Sequence, residues 1–366
     1  MSTAARRFPV TDWTVVVPVV ALVALVLSWG RDLPAPAVAL VALCLGGAVL
    51  AAVHHAEVVA HRVGEPFGSL VLAVAVTVIE VALIVTLMAD GGDKAASLAR
   101  DTVFAAVMIT CNGIVGLSLL VGALRNRVAV FNAEGSGAAL ATVATLATLS
   151  LVLPTFTTSK PGPEFSTAQL AFAAVASLAL YGLFVTVQTV RHRDYFLPVD
   201  TGRSADEDDH AAPPTSRAAL VSLGLLLVAL VAVVGDGKAI SPAIEAGVAS
   251  AGLPNAVVGV IIALLVLAPE TLAAVRAARR DRVQTSLNLA YGSAIASIGL
   301  TIPAIVLASL WLSGPLLLGL GPVHMVLLAL TVVVGALTIA PGRATLLQGG
   351  VHLVVLAAYL LLAVSP

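Results

Sequence analysis

Two glutamates stand alone in long apolar segments of the sequence. Glu80 is the only ionisable residue within residues 67–88, and Glu270 is the only one within residues 254–275. An ionised carboxylate at the centre of a bilayer costs at least about 2.5–3.5 kcal/mol, so the pattern favours a functional role for both residues. The alternative is a protonated glutamate that hydrogen-bonds a neighbouring helix in a purely structural role.

Two carboxylates in a poorly hydrated site can bind either metal ions or protons. One divalent cation neutralises the same charge as two protons, so the two ligands compete. Because Ca2+ prefers about six to eight oxygen ligands, neutral oxygens must contribute as well. The candidate ligands in the apolar segments are the side chains of Thr77, Asn112, Ser293 and Ser297, and a carbonyl freed by Pro269. Any one of these polar side chains, taken singly, more often forms a hydrogen bond between two helices than binds a cation.

The composition of the chain indicates which elements position these groups. Of the 366 residues, 59% are hydrophobic and 11% are charged, and the mean hydropathy is +1.05, whereas soluble domains are about 45–50% apolar. Apolar runs of about 20 residues, long enough to cross a bilayer as helices, recur along the chain. We predict an all-α polytopic membrane protein with eleven transmembrane helices, at 13–30, 36–53, 67–89, 101–124, 136–153, 168–190, 217–235, 254–276, 284–312, 322–340 and 344–364.

The lysines and arginines are distributed unevenly among the predicted loops. If the N-terminus is cytoplasmic, fourteen of the 19 lie on the cytoplasmic side. Lys and Arg accumulate in cytoplasmic loops, so this bias predicts a cytoplasmic N-terminus, and eleven spans place the C-terminus outside. No basic patch for nucleic acid is present, and the expected partners are membrane lipid and the transported ions.

A hydrophilic stretch divides the predicted spans into two sets. We predict an N-terminal transmembrane helix at 1–35, a first five-helix repeat at 36–190, an acidic cytoplasmic linker at 191–216 and a second five-helix repeat at 217–366. The second span runs inward and the seventh outward, so the two repeats have opposite topology, as in many secondary transporters. Each repeat carries a short amphipathic segment, at 57–63 or 244–251, before its glutamate helix.

Several other polar residues admit two interpretations. The acidic cluster at 206–209 either concentrates cations or forms a solvated linker. His54, His55 and His61 either relay protons or lie on an interfacial amphipathic face. Cys44 and Cys111 lie in apolar runs, where a thiol usually behaves as a small hydrophobe.

Short motifs in both halves carry a family resemblance. They are GEPFG at 64–68, TVIE at 77–80, QTVRHRDY at 188–195, VGVI at 258–261, APE at 268–270 and LNLAYGSA at 287–294. With these motifs, nearly the whole chain resembles bacterial calcium/proton antiporters of the cation-exchanger family, within the calcium:cation antiporter superfamily.

The resemblance implies eleven spans, two inverted repeats and one essential acidic residue per repeat, at the positions of Glu80 and Glu270. Asn112 and Ser297 resemble polar positions that complete the site. In the wider family the glutamate follows a Gly-Asn pair, which is absent here. Thr77 and Leu267 occupy the Asn-like places, which leaves Na+ and K+ open as alternatives to Ca2+.

We therefore expect a secondary transporter that exchanges Ca2+ for protons by alternating access in the bacterial inner membrane, without a cofactor. Glu80 and Glu270 are the expected metal ligands. A monovalent cation/proton antiporter is the alternative. An intramembrane enzyme fits less well, because no predicted span carries a nucleophile or metal signature. A channel also fits less well, because two acids in inverted repeats suit alternating access better than a continuous pore.

Overall fold

The computed structural model describes residues 12–64, 67–90, 96–199, 214–311 and 314–365. These residues form eleven helices, a short 3-10 turn and one two-residue ladder, in which strand β1 (Ala129–Val130) pairs with β2 (Arg343–Ala344). The helices are α1 (Trp13–Ser28), α2 (Ala35–Val63), α3 (Phe67–Asp90), α4 (Leu98–Asn126), α5 (Ala133–Thr155), α6 (Thr167–Arg191), α7 (Ser216–Ser250), α8 (Ala256–Arg279), α9 (Val283–Ala308), α10 (Pro322–Ile339) and α11 (Leu346–Val364).

Each predicted span coincides with one helix. Within the described ranges, nine helices are long and apolar enough to cross a membrane, while α1 and the Val74–Ala89 part of α3 are shorter apolar helices. The predicted class, an all-α polytopic membrane protein with eleven helices, is therefore confirmed. The hydrophobic pattern did not predict the short β1–β2 ladder.

Two predicted boundaries are wrong because charged residues do not by themselves end a helix. The spans predicted at 36–53 and 217–235 continue as helix to Val63 and Ser250. The amphipathic segments predicted as separate are therefore the last turns of α2 and α7. Both helices are followed by a glycine in the left-handed region, Gly64 at φ 77° and Gly252 at φ 68°, a conformation that glycine adopts without strain.

Three helices contain a π-helical turn that the sequence did not predict. These turns are Ile109–Ile114 in α4, Thr148–Val152 in α5 and Val187–Arg191 in α6. Such turns often occur at functional sites. By contrast α9 is one continuous α-helix that ends at Ala308, although Pro303 lies within it.

The chain packs as two compact units. The first consists of residues 1–79 and 212–243, and the second of residues 80–211 and 244–366. In the first unit α1 packs on α2, and buried His55 joins them through a 2.8 Å bond from Nε2 to the Thr14 carbonyl. This contact gives His55 a structural role. The two predicted five-helix repeats divide the chain differently from these two compact units, and the repeats remain a prediction.

In the second unit α4 and α9 are the most enclosed helices. Of an apolar 18-residue stretch in each helix, 89% is buried in α4 and 67% in α9. Helix α9 packs against α5, α6 and α8, and α4 packs against α8 and α11. The α4–α8 crossing is close, because a Cβ on Gly259 would lie 3.0 Å from the Thr102 backbone nitrogen. Small residues allow such close approach of helices in membranes.

Candidate functional site

Glu80 lies in α3 with only 5% of its surface exposed. The Ser297 hydroxyl of α9 donates a 2.6 Å hydrogen bond to Glu80 Oε1. Within the described ranges, no Lys, Arg or His side chain forms an ion pair with this carboxylate. The carboxylate is thus held by a neutral donor, which leaves its charge to be balanced by a bound ion or a proton.

A second hydroxyl faces the same carboxylate. Thr301 lies one helical turn after Ser297 on α9, is fully buried and is directed at Glu80, but its Oγ1 has no partner within hydrogen-bond distance. Thr301 is not among the ligands predicted from sequence. The signal was present, since hydroxyl residues at positions i and i+4 lie on one face of a helix.

Glu270 lies in α8 directly after Pro269. Its side chain is half-buried, and its Oε2 atom is shielded from solvent. Pro269 has no backbone N–H, so the Leu265 carbonyl lacks its usual helix partner. The neighbouring Leu267 carbonyl accepts a 2.7 Å bond from the Thr271 hydroxyl. Glu270 is thus accompanied by one backbone oxygen, that of Leu265, which the regular helix pattern leaves unused.

The predicted ligand Thr77 lies on α3, the helix of Glu80, and the predicted ligand Ser293 lies on α9, the helix of Ser297. Thr77 is a buried residue of α3, three residues before Glu80, and Ser293 is half-buried on α9, one turn before Ser297. Helix α9 also packs against α8, the helix of Glu270. Among the residues with described positions, no three His, Cys, Asp or Glu side chains are grouped to hold a metal.

The structure places Asn112 in a different polar group, within the π-turn of α4. Its Nδ2 lies 2.9 Å from Thr331 Oγ1 of α10, and its Oδ1 lies 3.2 Å from Nδ1 of His352 in α11. His352 Nε2 lies 3.2 Å from Thr338 Oγ1. Asn112 and His352 are both fully buried. Asn112, predicted as a site ligand, makes no hydrogen bond to Glu80 in this conformation.

The hydrogen bonds of the Asn112 side chain have a defined direction. Thr331 donates its hydroxyl proton to the Leu327 carbonyl at 2.8 Å, so it accepts from the Asn112 amide. The Asn112 carbonyl oxygen then faces His352, whose Nδ1 must carry the proton, because an amide oxygen only accepts. His352 Nε2 lies next to the Thr338 hydroxyl, which can either donate to it or accept from it. The bond from His352 Nδ1 therefore fixes the orientation of the Asn112 amide.

A close helix crossing brings His352 to Asn112. A Cβ on Gly349 of α11 would lie 2.8 Å from the Leu120 nitrogen, and one on Gly116 of α4 would lie 3.0 Å from the His352 Cβ. The two glycines let the backbones of α4 and α11 approach closely. The contact of His352 with Asn112 could not be predicted from sequence, because a contact between residues this far apart in sequence depends on helix register.

Other predicted polar groups have different outcomes. The acidic cluster at 206–209 lies outside the described residues. His54 lies with its ring centroid 6.1 Å from that of Trp13, so it contacts α1 as His55 does. These contacts favour the structural interpretation of the two histidines over a proton relay.

Comparisons with known proteins agree with this architecture. The family model described as sodium/calcium exchanger protein matches residues 33–190 and 221–365. The protein y4hA of Sinorhizobium fredii (strain NBRC 101917 / NGR234), which carries the name of an ionic transporter, is 45% identical over 99% of this chain and 98% of its own. The sodium-potassium/proton antiporter ChaA of Escherichia coli (strain K12) is 37% identical over 96% of this chain and 95% of its own.

A solved structure shares the fold. The H+/Ca2+ exchanger CAX superposes with a TM-score of 0.68 at 15% sequence identity, over 95% of this chain and 86% of that one. At this identity the likeness concerns the arrangement of helices alone.

Proposed function

The chain belongs to the sodium/calcium exchanger family, and on this premise we propose that it exchanges a metal cation for protons across a membrane, with Glu80 and Glu270 as the groups that bind both. The predicted family is confirmed, and its members are transporters rather than enzymes. The observation that carries the proposal is the Glu80 carboxylate, buried in an apolar helix and met by a hydroxyl instead of a basic side chain.

The hydroxyls around Glu80 suit both ligands. When the carboxylate has bound neither, Ser297 donates a hydrogen bond to it. A hydroxyl is both donor and acceptor, so the Ser297 and Thr301 side chains can rotate and offer oxygen to a cation. One set of residues thus serves the proton-bound, cation-bound and empty states without rearrangement of α9.

Glu270 supplies the second carboxylate of the proposed site. Its helix contains Pro269 and a backbone carbonyl freed by that proline, at Leu265. Hard cations favour carbonyl and carboxylate oxygens. With one divalent cation or two protons on the pair of glutamates, the charge of the site stays balanced. With neither, two buried negative charges repel each other, and this repulsion couples the binding of one ligand to the release of the other.

Alternating access in the proposal rests on the two predicted inverted repeats. Helices α4 and α9, the third helices of these repeats, are the two most enclosed helices of the second unit, as expected if they occupy equivalent places. The loop charges support a cytoplasmic N-terminus and a C-terminus outside, in a bacterial inner membrane.

Ca2+ is the proposed cation, because two carboxylates match its charge. Na+ and K+ form the second candidate, which one specific observation favours. The relative that is 37% identical over nearly its full length is named a sodium-potassium/proton antiporter. The absence of the Gly-Asn pair before either glutamate points the same way, since each replacement, Thr77 or Leu267, removes an amide oxygen.

Inverted membrane vesicles with a fluorescent reporter of their internal acidity test the proposal. Addition of Ca2+, Na+ or K+ should collapse an imposed proton gradient, and the concentration for half-maximal response ranks the three cations. We expect Glu80→Gln and Glu270→Gln to abolish the response. Glu134→Gln, which changes an exposed glutamate at the start of α5, is the matched control and should retain it. A full response in both site variants would refute the assignment.

A further inference from the structure

Helix α7 carries an acidic residue in the interior of the first unit. Asp236 lies between Gly235 and Gly237. None of its surface is exposed, and neither Oδ1 nor Oδ2 has a hydrogen-bond partner. Buried polar side chains are almost always hydrogen-bonded. A fully buried carboxyl group with two open oxygens therefore requires an explanation.

In the first unit, residues of α1 and α2 lie near Asp236. Gly235 packs directly against the Leu25 side chain of α1. On α2, the titratable group within range of the Asp236 charge is the Cys44 thiol. Lys238 of α7 lies two residues further on with an exposed side chain, and residues two apart point to different sides of a helix. No described Lys, Arg or His pairs with Asp236.

A second buried aspartate shows what an ionised group requires in this protein. Asp101 at the start of α4 is 7% exposed. Arg100 pairs with it at 2.8 Å, and the Ser97 hydroxyl donates to its other oxygen at 2.9 Å. Asp236 has neither kind of partner. An ionised carboxylate without a counter-charge is strongly disfavoured in a low-dielectric interior.

We propose that Asp236 is a third proton-binding carboxylate of this protein, separate from Glu80 and Glu270, which holds its proton at neutral pH within the packed helices of the first unit. Loss of this proton would place an unbalanced charge between α7 and its neighbours α1 and α2. The charge would then require water or a cation, and the packing around Asp236 would loosen. The proton on Asp236 thus couples the integrity of this helix contact to pH.

Infrared difference spectroscopy of the full-length protein in lipid nanodiscs tests the proposal. A protonated carboxyl group and a carboxylate absorb at different frequencies. At neutral pH, the wild-type spectrum minus that of Asp236→Asn should contain the carbonyl band of a carboxylic acid. The same subtraction with Asp101→Asn, the matched control, should contain carboxylate bands instead. The Asp236 band should persist in the Glu80→Gln variant and disappear as the pH is raised.

A measurement on the unsubstituted protein covers the case in which Asp236→Asn does not fold. Wild-type protein labelled with carbon-13 in its aspartate carboxyl groups should show an isotope shift of a carboxylic acid band at neutral pH. The proposal is overturned if the difference spectrum shows Asp236 as a carboxylate at neutral pH, or if the labelled protein shows no aspartate carboxylic acid band at that pH. Both measurements read protonation and not transport, so the result is independent of the exchange function.

Discussion

At the residue scale, the account depends on a hydroxyl that meets a buried carboxylate. Ser297 was expected from sequence to lie near Glu80, and the structure places its Oγ 2.6 Å from Oε1. Glu80 and Glu270 could be predicted because a lone charge in an apolar run is conspicuous. Asn112 could not be assigned in the same way, since its partners Thr331 and His352 lie on helices more than 200 residues further along the chain.

Removal of the Ser297 hydroxyl should weaken cation binding. A hydrogen bond to a charged group contributes about 1.5–3 kcal/mol, and Ser297→Ala also removes a cation ligand, so the apparent KM for the cation should rise at least about tenfold. The deficit should be largest at low pH, where protons compete most strongly. The maximal rate should change much less than KM.

Two further variants make this prediction specific. Ser293→Ala, which removes another predicted ligand one turn away on α9, should change KM by less than Ser297→Ala does. Ser297→Thr, which keeps a hydroxyl, should restore much of the affinity. Ion flux into proteoliposomes at several pH values measures all four proteins. An unchanged KM in Ser297→Ala would remove this hydroxyl from the site.

At the element scale, helix ends and crossings depend on single residues. The predicted seventh span ends at residue 235, directly before Asp236 and Lys238. The structure continues α7 to Ser250, since a charged residue does not interrupt backbone hydrogen bonding. Hydropathy measures the length of an apolar run and not the length of a helix. Asp236 lies just beyond the apolar run, and its burial was therefore not predicted.

The α4–α11 crossing should tolerate no side chain at Gly349. A Cβ there would lie 2.8 Å from the Leu120 nitrogen and 3.0 Å from the Gly116 carbonyl oxygen. Gly349→Ala should separate the two helices, lengthen the contact of His352 with Asn112 and destabilise the protein by about 1–3 kcal/mol. Thermal unfolding of the purified protein measures the effect as a lower Tm.

The adjacent glycine provides the control for this crossing. No atom lies within 4 Å of a Cβ built on Gly350. Gly350→Ala should leave Tm unchanged or raise it slightly, because alanine favours helix over glycine by about 0.8–1 kcal/mol. Equal Tm values for the two alanine variants would contradict the close crossing.

At the scale of the whole molecule, the fold class could be predicted from the sequence alone. Eleven apolar runs correspond to eleven helices, because the bilayer imposes both length and composition on each span. The division into two compact units could not be predicted, since α7 joins α1 and α2 through contacts distant in sequence. The inverted repeats and the orientation of the chain remain predictions from loop charge.

The predicted orientation has a direct test. In a protein whose two native cysteines are replaced by alanine, Ser159→Cys lies in an exposed loop on the predicted outer side, and Thr215→Cys is exposed on the predicted cytoplasmic side. A membrane-impermeant maleimide added to intact cells should label the first and spare the second. In inverted vesicles the pattern should be reversed. Labelling of Thr215→Cys in intact cells would contradict a cytoplasmic N-terminus.

The central claim is that the same two glutamates bind either a cation or protons. Proton release upon cation binding tests it most directly, with purified protein in a weakly buffered solution that contains a pH indicator. Saturating Ca2+ or Na+ should release protons from the wild-type protein and from Glu134→Gln, and release none from the Glu80→Gln, Glu270→Gln double variant. Cation binding to the wild-type protein without proton release, or equal release from the double variant, would contradict the account.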